Sequence, residues 1–207
     1  MVLLTDDPLV DLFEAFASPS PIPGGGSAAA ISSSLGVSLL RMAAALPRTR
    51  AESDEEVAAV ARVSAMLARL QEQLTDTINT DAAAYTRVAA AYKLPRGSAA
   101  EQTTREDAIQ EALRAATDVP LEIMRLSAGA LTHARTVAAR GRRAVSSDIA
   151  VALAVLRAGM EGAHRIVLAN LTSLSDQRYV KAVDRETASL LEHATGAASE
   201  AEALLGG

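Results

Sequence analysis

The sequence predicts an all-α fold, an antiparallel helical bundle of about six or seven helices that forms a single domain over residues 1–207. Three observations carry that expectation. Apolar residues recur at spacings of three and four through most of the chain, and no segment alternates long enough to make a strand. Ala and Leu dominate the apolar residues, Trp is absent, and the aromatics are Phe13, Phe16, Tyr85, Tyr92 and Tyr179. Ala is the strongest helix former and its small side chain lets backbones approach, so this composition suits closely spaced helices. Residues that start and stop helices also fall at the ends of the periodic segments.

The elements follow in order. After Pro8, with Asp6 or Asp7 as cap, Val10, Leu12, Phe13 and Phe16 make the apolar side of a short helix. Pro19, Pro21 and Pro23 keep residues 18–23 out of a helix. Residues 27–46 are almost all Ala, Ser, Leu and Ile, which predicts one buried helix stopped by Pro47. Ser53-Asp54-Glu55-Glu56 reads as a capping box. It opens a long periodic run from Val57 through Leu67, Leu74 and Ile78 to Tyr85, Val88 and Tyr92, which breaks at Pro95-Arg96-Gly97. A further helix is expected from Thr103 or Thr104, with a kink or short break at Pro120 and an end at Gly141. Ser146 or Ser147 caps the next helix, which runs towards Asn170, and the last helix follows Asp176 and ends in Gly206-Gly207.

Composition removes several classes of function. With a net charge of −5, the chain has no electrostatic support for non-specific nucleic-acid binding. There is no cysteine, hence no disulfide, thiolate nucleophile or Cys-based zinc site. His133, His164 and His193 stand far apart without a metal-binding spacing, so no metal site is expected. No Gly-x-Ser-x-Gly elbow is present. The N-terminus lacks a basic leader, and arginines such as Arg41, Arg62 and Arg157 interrupt the apolar runs before they reach the ~18 residues of a membrane span. The expectation is a cytoplasmic protein without a membrane partner.

The chemistry concentrates in a few polar groups. Pro23-Gly24-Gly25-Gly26-Ser27 is neither a Walker loop nor a dinucleotide fingerprint. It reads either as a connector or as a backbone loop whose helix N-terminus holds an anion or a developing oxyanion. Asp81 sits among alanines, and Asp81, Tyr85, Val88 and Tyr92 share one helical stripe about 16 Å long. That stripe is either a solvated face or an aromatic trough in which a desolvated acid moves protons. Lys93 complements the end of its helix or places an ammonium over an anionic ligand. Asp148, after Ser147, complements the start of its own helix. The small-residue stripe from Ala152 through Gly159 and Ala163 permits a close helix neighbour, in the bundle or across a dimer, and ends at Asn170, whose amide needs partners. Arg140-Gly141-Arg142-Arg143 reads as a basic last turn with a glycine cap.

Taken together, PIPGGGSAAA, NTDAAAY, AAYKLPR, AIQEALRAATDVPLE, AVSSDIAV and ANLTSLSD, in this order over nearly the whole chain, resemble the cyclodeaminase domain of formiminotransferase-cyclodeaminase and the related stand-alone bacterial methenyltetrahydrofolate cyclohydrolases. The resemblance implies an all-helical homodimer that binds a one-carbon tetrahydrofolate. It would either close 5-formiminotetrahydrofolate to 5,10-methenyltetrahydrofolate with release of ammonia or hydrolyse the methenyl compound, with no cofactor beyond the folate substrate. By that resemblance Asp81 moves the proton. Gly24, Gly25, Gly26 and Ser27 shape the folate site beside Tyr85, Lys93 lies at its edge, and Ser147, Asp148 and Asn170 bind or orient the substrate. The chain departs from the family pattern at residues 45–50 and at Ile166, where family members often carry an Asn. Those departures leave a second reading, a folate-binding helical dimer with impaired catalysis.

Overall fold

The computed structural model describes residues 3–46, 53–139 and 143–205. It contains six α-helices among those residues and no strand: α1 (Leu9–Ala17), α2 (Gly25–Ala45), α3 (Asp54–Tyr92), α4 (Ala99–Ala139), α5 (Ser146–Leu171) and α6 (Gln177–Ala203), with 3₁₀ turns at Leu4–Asp6 and Arg143–Val145.

Helix ends follow the local chemistry in most cases. The hydroxyl of Ser53 accepts from the N–H of Glu56 at 3.2 Å while the Glu56 carboxylate accepts from the Ser53 N–H at 3.0 Å, so the capping box forms. Asp176 caps α6 by accepting from the amides of Arg178 and Tyr179. Leu46 adopts extended dihedrals at the end of α2, as a residue before proline prefers. Pro47, the Arg140-Gly141-Arg142 turn and Gly206-Gly207 lie outside the described residues.

Several expectations are corrected. Helix α4 begins at Ala99, several residues before Thr103, because Ser98 and Glu101 exchange a second capping box over 3.2 and 2.9 Å. It then continues through Pro120, so the short break does not form there. Neither Asp6 nor Asp7 caps α1, and neither Ser146 nor Ser147 caps α5; Pro8 and Val145 hold those positions without a side-chain hydrogen bond. Helix α2, at 21 residues, is long and apolar enough by composition to cross a bilayer even with Arg41 inside it. Here it packs against α3, α4 and α5, with Ser27 and Ser33 buried. On α1, Leu12 is buried and Phe16 half-buried, while Val10 and Phe13 are exposed.

From α2 onward, helices adjacent in sequence run antiparallel, as their short connections require. Thus Ser27 meets Asp81 and Ser38 meets Gln71 between α2 and α3. Helix α5 also returns antiparallel to α2. Helices α4 and α6, separated in sequence by α5, lie parallel. Tyr179 bonds Asp118, Glu186 pairs with Arg125 and His193 meets Thr132, each with an offset of 61 residues and two helical turns apart. The core lies around α4, where Leu121, Ile123, Met124 and Leu131 are fully buried, and extends to Leu67 and Leu74 on α3 and to Leu153 and Leu156 on α5.

The α2–α5 contact depends on glycine. A Cβ on Gly159 would lie 2.7 Å from the Ala29 carbonyl oxygen, and one on Gly36 would lie 2.9 Å from that of Ala152. The small-residue stripe of α5 is therefore used inside the bundle. This close approach sets where α2 starts, and the start of α2 is one wall of the site.

Candidate active site

Helix α2 opens with glycines, so it has no side chain of its own to satisfy the free amides of its first turn. Asp81 on α3 supplies the acceptor. Its Oδ2 accepts from the Ser27 main-chain N–H at 2.8 Å and lies 3.0 Å from the Ser27 hydroxyl, which also faces the Ile78 carbonyl oxygen at 3.0 Å. Gly26 makes room for the acid. A Cβ there would lie 1.9 Å from Oδ1 of Asp81, closer than any real contact allows.

Two influences oppose each other at this carboxyl. Burial disfavours its charge and pushes the pKa above the ordinary aspartate range, while the two hydrogen bonds from Ser27 pull it down. Burial is the larger. The result is a fixed acid that holds its proton more tightly than an exposed aspartate.

Asp81 opens into a cavity of about 310 Å³. Pro21, Ile22 and the three glycines form one side, Tyr85 and Val88 continue the α3 wall, Leu113 and Ala116 come from α4, and Ile166 and Asn170 from α5. The size suits a small aromatic ligand, and the lining is mostly apolar with a few polar groups that converge. Tyr85 is exposed by 45%, which leaves its ring available at the rim. Ile166 faces the glycine loop, its Cδ1 3.5 Å from where a Gly25 Cβ would stand.

Asn170 makes the bond that a polar group on an apolar helix requires. Its Nδ2 donates to the Ala116 carbonyl oxygen at 3.1 Å. Sequence reasoning singled out Asn170 but missed its partner, Ala116, and the Leu113 wall, which look like ordinary core positions. The signal for the partner was Pro120, which lies four residues after Ala116.

The structure thus brings Gly24, Gly25, Gly26, Ser27, Asp81, Tyr85 and Asn170 together. Lys93, Ser147 and Asp148 do not line this cavity. Lys93 is the exposed C-cap of α3. Ser147 is exposed and Asp148 half-buried in the first turn of α5, the end of that helix remote from Asn170. Tyr92 leaves the stripe for the surface, where the Arg105 guanidinium lies 5.6 Å from its ring centre. Among the described residues no three His, Asp or Glu side chains group as metal ligands.

The family model described as Formiminotransferase-cyclodeaminase matches residues 8–189. A methenyltetrahydrofolate cyclohydrolase from Methylorubrum extorquens is 36% identical over 187 residues, spanning 90% of this chain and 89% of that protein. The formimidoyltransferase-cyclodeaminase of Sus scrofa is 30% identical over 92% of this chain, which spans only 35% of that protein. The fold matches the crystal structure of a formiminotetrahydrofolate cyclodeaminase from Thermotoga maritima with a TM-score of 0.85 at 22% identity, covering 97% of this chain and 96% of the other.

Proposed function

The chain belongs to the formiminotransferase-cyclodeaminase family, and from that premise we propose that it is an enzyme of one-carbon tetrahydrofolates, with Asp81 as its proton-transfer group. The observation that carries this reading is the meeting of Asp81 with the Gly24–Gly26 helix mouth in one cavity.

Hydrolysis of 5,10-methenyltetrahydrofolate is the first reading, supported by a cyclohydrolase relative that matches this chain over nearly its whole length. Closure of 5-formiminotetrahydrofolate with loss of ammonia is the second, favoured by the cyclodeaminase relatives. The two reactions share a tetrahedral carbon between two folate nitrogens. Hydrolysis needs a base to take a proton from the attacking water; closure needs an acid to give one to departing ammonia. One carboxyl whose proton affinity is raised by burial can serve as either acid or base. Tyr85 offers a ring against which a flat heterocycle can lie, and the free amides beside Gly24 suit developing negative charge.

The dimer belongs to the same proposal. Helices α2 and α5, packed together, leave Leu35, Met42 and Val151 exposed, an apolar surface that a second copy would cover. Light scattering of the purified protein checks it.

The decisive experiment follows loss of methenyltetrahydrofolate absorbance beside ammonia release from formiminotetrahydrofolate. A folded protein that binds folate and turns over neither compound supports a folate-binding dimer without catalysis, and one that does not bind folate overturns both readings.

A further inference from the structure

Helix α4 carries a proline at its centre and does not break. Pro120 has no amide hydrogen, so the carbonyl of Ala116, four residues earlier, lacks the donor the helix would supply. A partly buried acceptor in that position calls for a partner from elsewhere. The partner is Nδ2 of Asn170, reaching across from α5 at 3.1 Å.

This bond fixes more than stability. A backbone carbonyl only accepts, so the amide nitrogen of Asn170 faces α4 and its oxygen turns away. Asn170 and Ala116 both line the cavity. With the nitrogen committed, the group that Asn170 has left to offer a ligand is an acceptor.

We propose that Pro120 is a positioning residue for the site: by leaving the Ala116 carbonyl unpaired it locks the Asn170 amide in one orientation, so that this wall receives ligands presenting an N–H or O–H donor. The inference deepens the folate reading and rests on it for the ligand class; a reduced pterin ring carries N–H donors of the required kind. Were residue 120 to have an N–H, the helix would offer Ala116 a donor of its own. Asn170 would then share that carbonyl, its amide would be held less firmly, and either end of it could face the cavity.

The test compares the full chain with Pro120→Ala, Pro120→Val and Asn170→Ala, and with Pro120→Val combined with Asn170→Ala. Valine is close to proline in volume and restores the N–H. In the native protein the Asn170 side-chain amide hydrogens should exchange with solvent more slowly than those of an exposed asparagine, read by nitrogen-15 NMR, and in both Pro120 variants that protection should fall. Affinity for 5-formyltetrahydrofolate, read by calorimetry, should drop about tenfold in Pro120→Val, on the scale of one hydrogen bond. It should drop no further when Pro120→Val is added to Asn170→Ala. A purely structural role for Pro120 would weaken binding equally in both backgrounds. Unprotected Asn170 hydrogens in the native protein, unchanged protection in the folded variants, or an undiminished affinity loss in the Asn170→Ala background each overturn the proposal. Should native protein fail to bind the folate, the folate reading falls, while the exchange measurement still decides the Pro120–Asn170 link.

Discussion

The main-chain N–H of Ser27 donates to Oδ2 of Asp81 across 2.8 Å, so the acid that caps α2 belongs to α3. This gives Asp81 two roles that a substitution can separate. Asparagine has the same shape and keeps an oxygen to accept from Ser27, but it cannot exchange a proton. Asp81→Asn should therefore fold as the native protein does and bind folate, while its turnover falls by about 10²–10⁴, the usual worth of a general acid or base. Circular dichroism and steady-state rates check both halves. Native turnover in the variant removes Asp81 from the chemistry.

The raised proton affinity of Asp81 also has a thermodynamic signature. Its folded pKa lies above its unfolded one, chiefly because burial disfavours the charge. Between those two values the folded state binds more protons than the unfolded state, so this group's contribution to stability declines as pH rises. The contribution is fully present below the unfolded value of about 3.9 and is lost once pH passes the folded one. Asp81→Asn does not titrate. Its melting temperature relative to the native protein should therefore be higher at pH 7 than near pH 3, by thermal melts in matched salt. An unchanged difference across that range would show that burial does not control this acid.

Neighbouring glycines should behave differently. A methyl at Gly26 would overlap the Asp81 carboxylate, whereas one at Gly25 makes an ordinary 3.5 Å contact with Ile166. Gly26→Ala should displace the acid from Ser27 and lower turnover by a factor comparable with that of Asp81→Asn, roughly 10² or more. Its helix should persist, since alanine is a better helix former than glycine. Gly25→Ala should leave Asp81 in place and act on folate affinity, through the narrowed cavity, more than on turnover. Equal turnover defects in the two variants would contradict this geometry.

What the sequence reveals of this site follows from what helical periodicity encodes. Spacing places Asp81, Tyr85 and Val88 on one face, and all three line the cavity. Capping residues at Ser53 and Asp176 locate two helix starts because those signals are local. The Ser98–Glu101 box is equally local but lies beside the Pro95–Gly97 break, where the threonines further on draw the helix start towards themselves. Periodicity does not say which helix a face will meet. Ser147, Asp148 and Asn170 share one helix, yet that helix is 26 residues long and only its Asn170 end reaches the cavity. Nor can one helix announce that a carbonyl in another will lack a donor. Pro120 marks the Ala116 carbonyl in the sequence, but that Asn170 is the donor becomes legible only once α4 and α5 lie side by side.

The distance between α2 and α5 controls where the α2 mouth sits, and Gly159 sets that distance. A methyl there would lie 2.7 Å from the Ala29 carbonyl oxygen and 3.0 Å from the Ser33 nitrogen, both main-chain atoms that cannot rotate away. The nearby Ser33 hydroxyl is itself engaged, accepting from Ser127 on α4 at 2.8 Å. Relief must come from a shift of α2 as a body, so Gly159→Ala should cost about 1–3 kcal/mol, the range for overfilled cores, despite the better helix propensity of alanine. Gly162, one turn on, faces the same helix with an ordinary 3.5 Å contact to the Ala29 methyl. Gly162→Ala should therefore be neutral or slightly stabilising. Urea unfolding of the two variants checks the contrast. If the helices part at Gly159, the Ser27–Asp81 bond loosens with them and turnover falls in Gly159→Ala although no atom of the site is altered; full activity in a destabilised Gly159→Ala would mean that the helix mouth is held independently of this crossing.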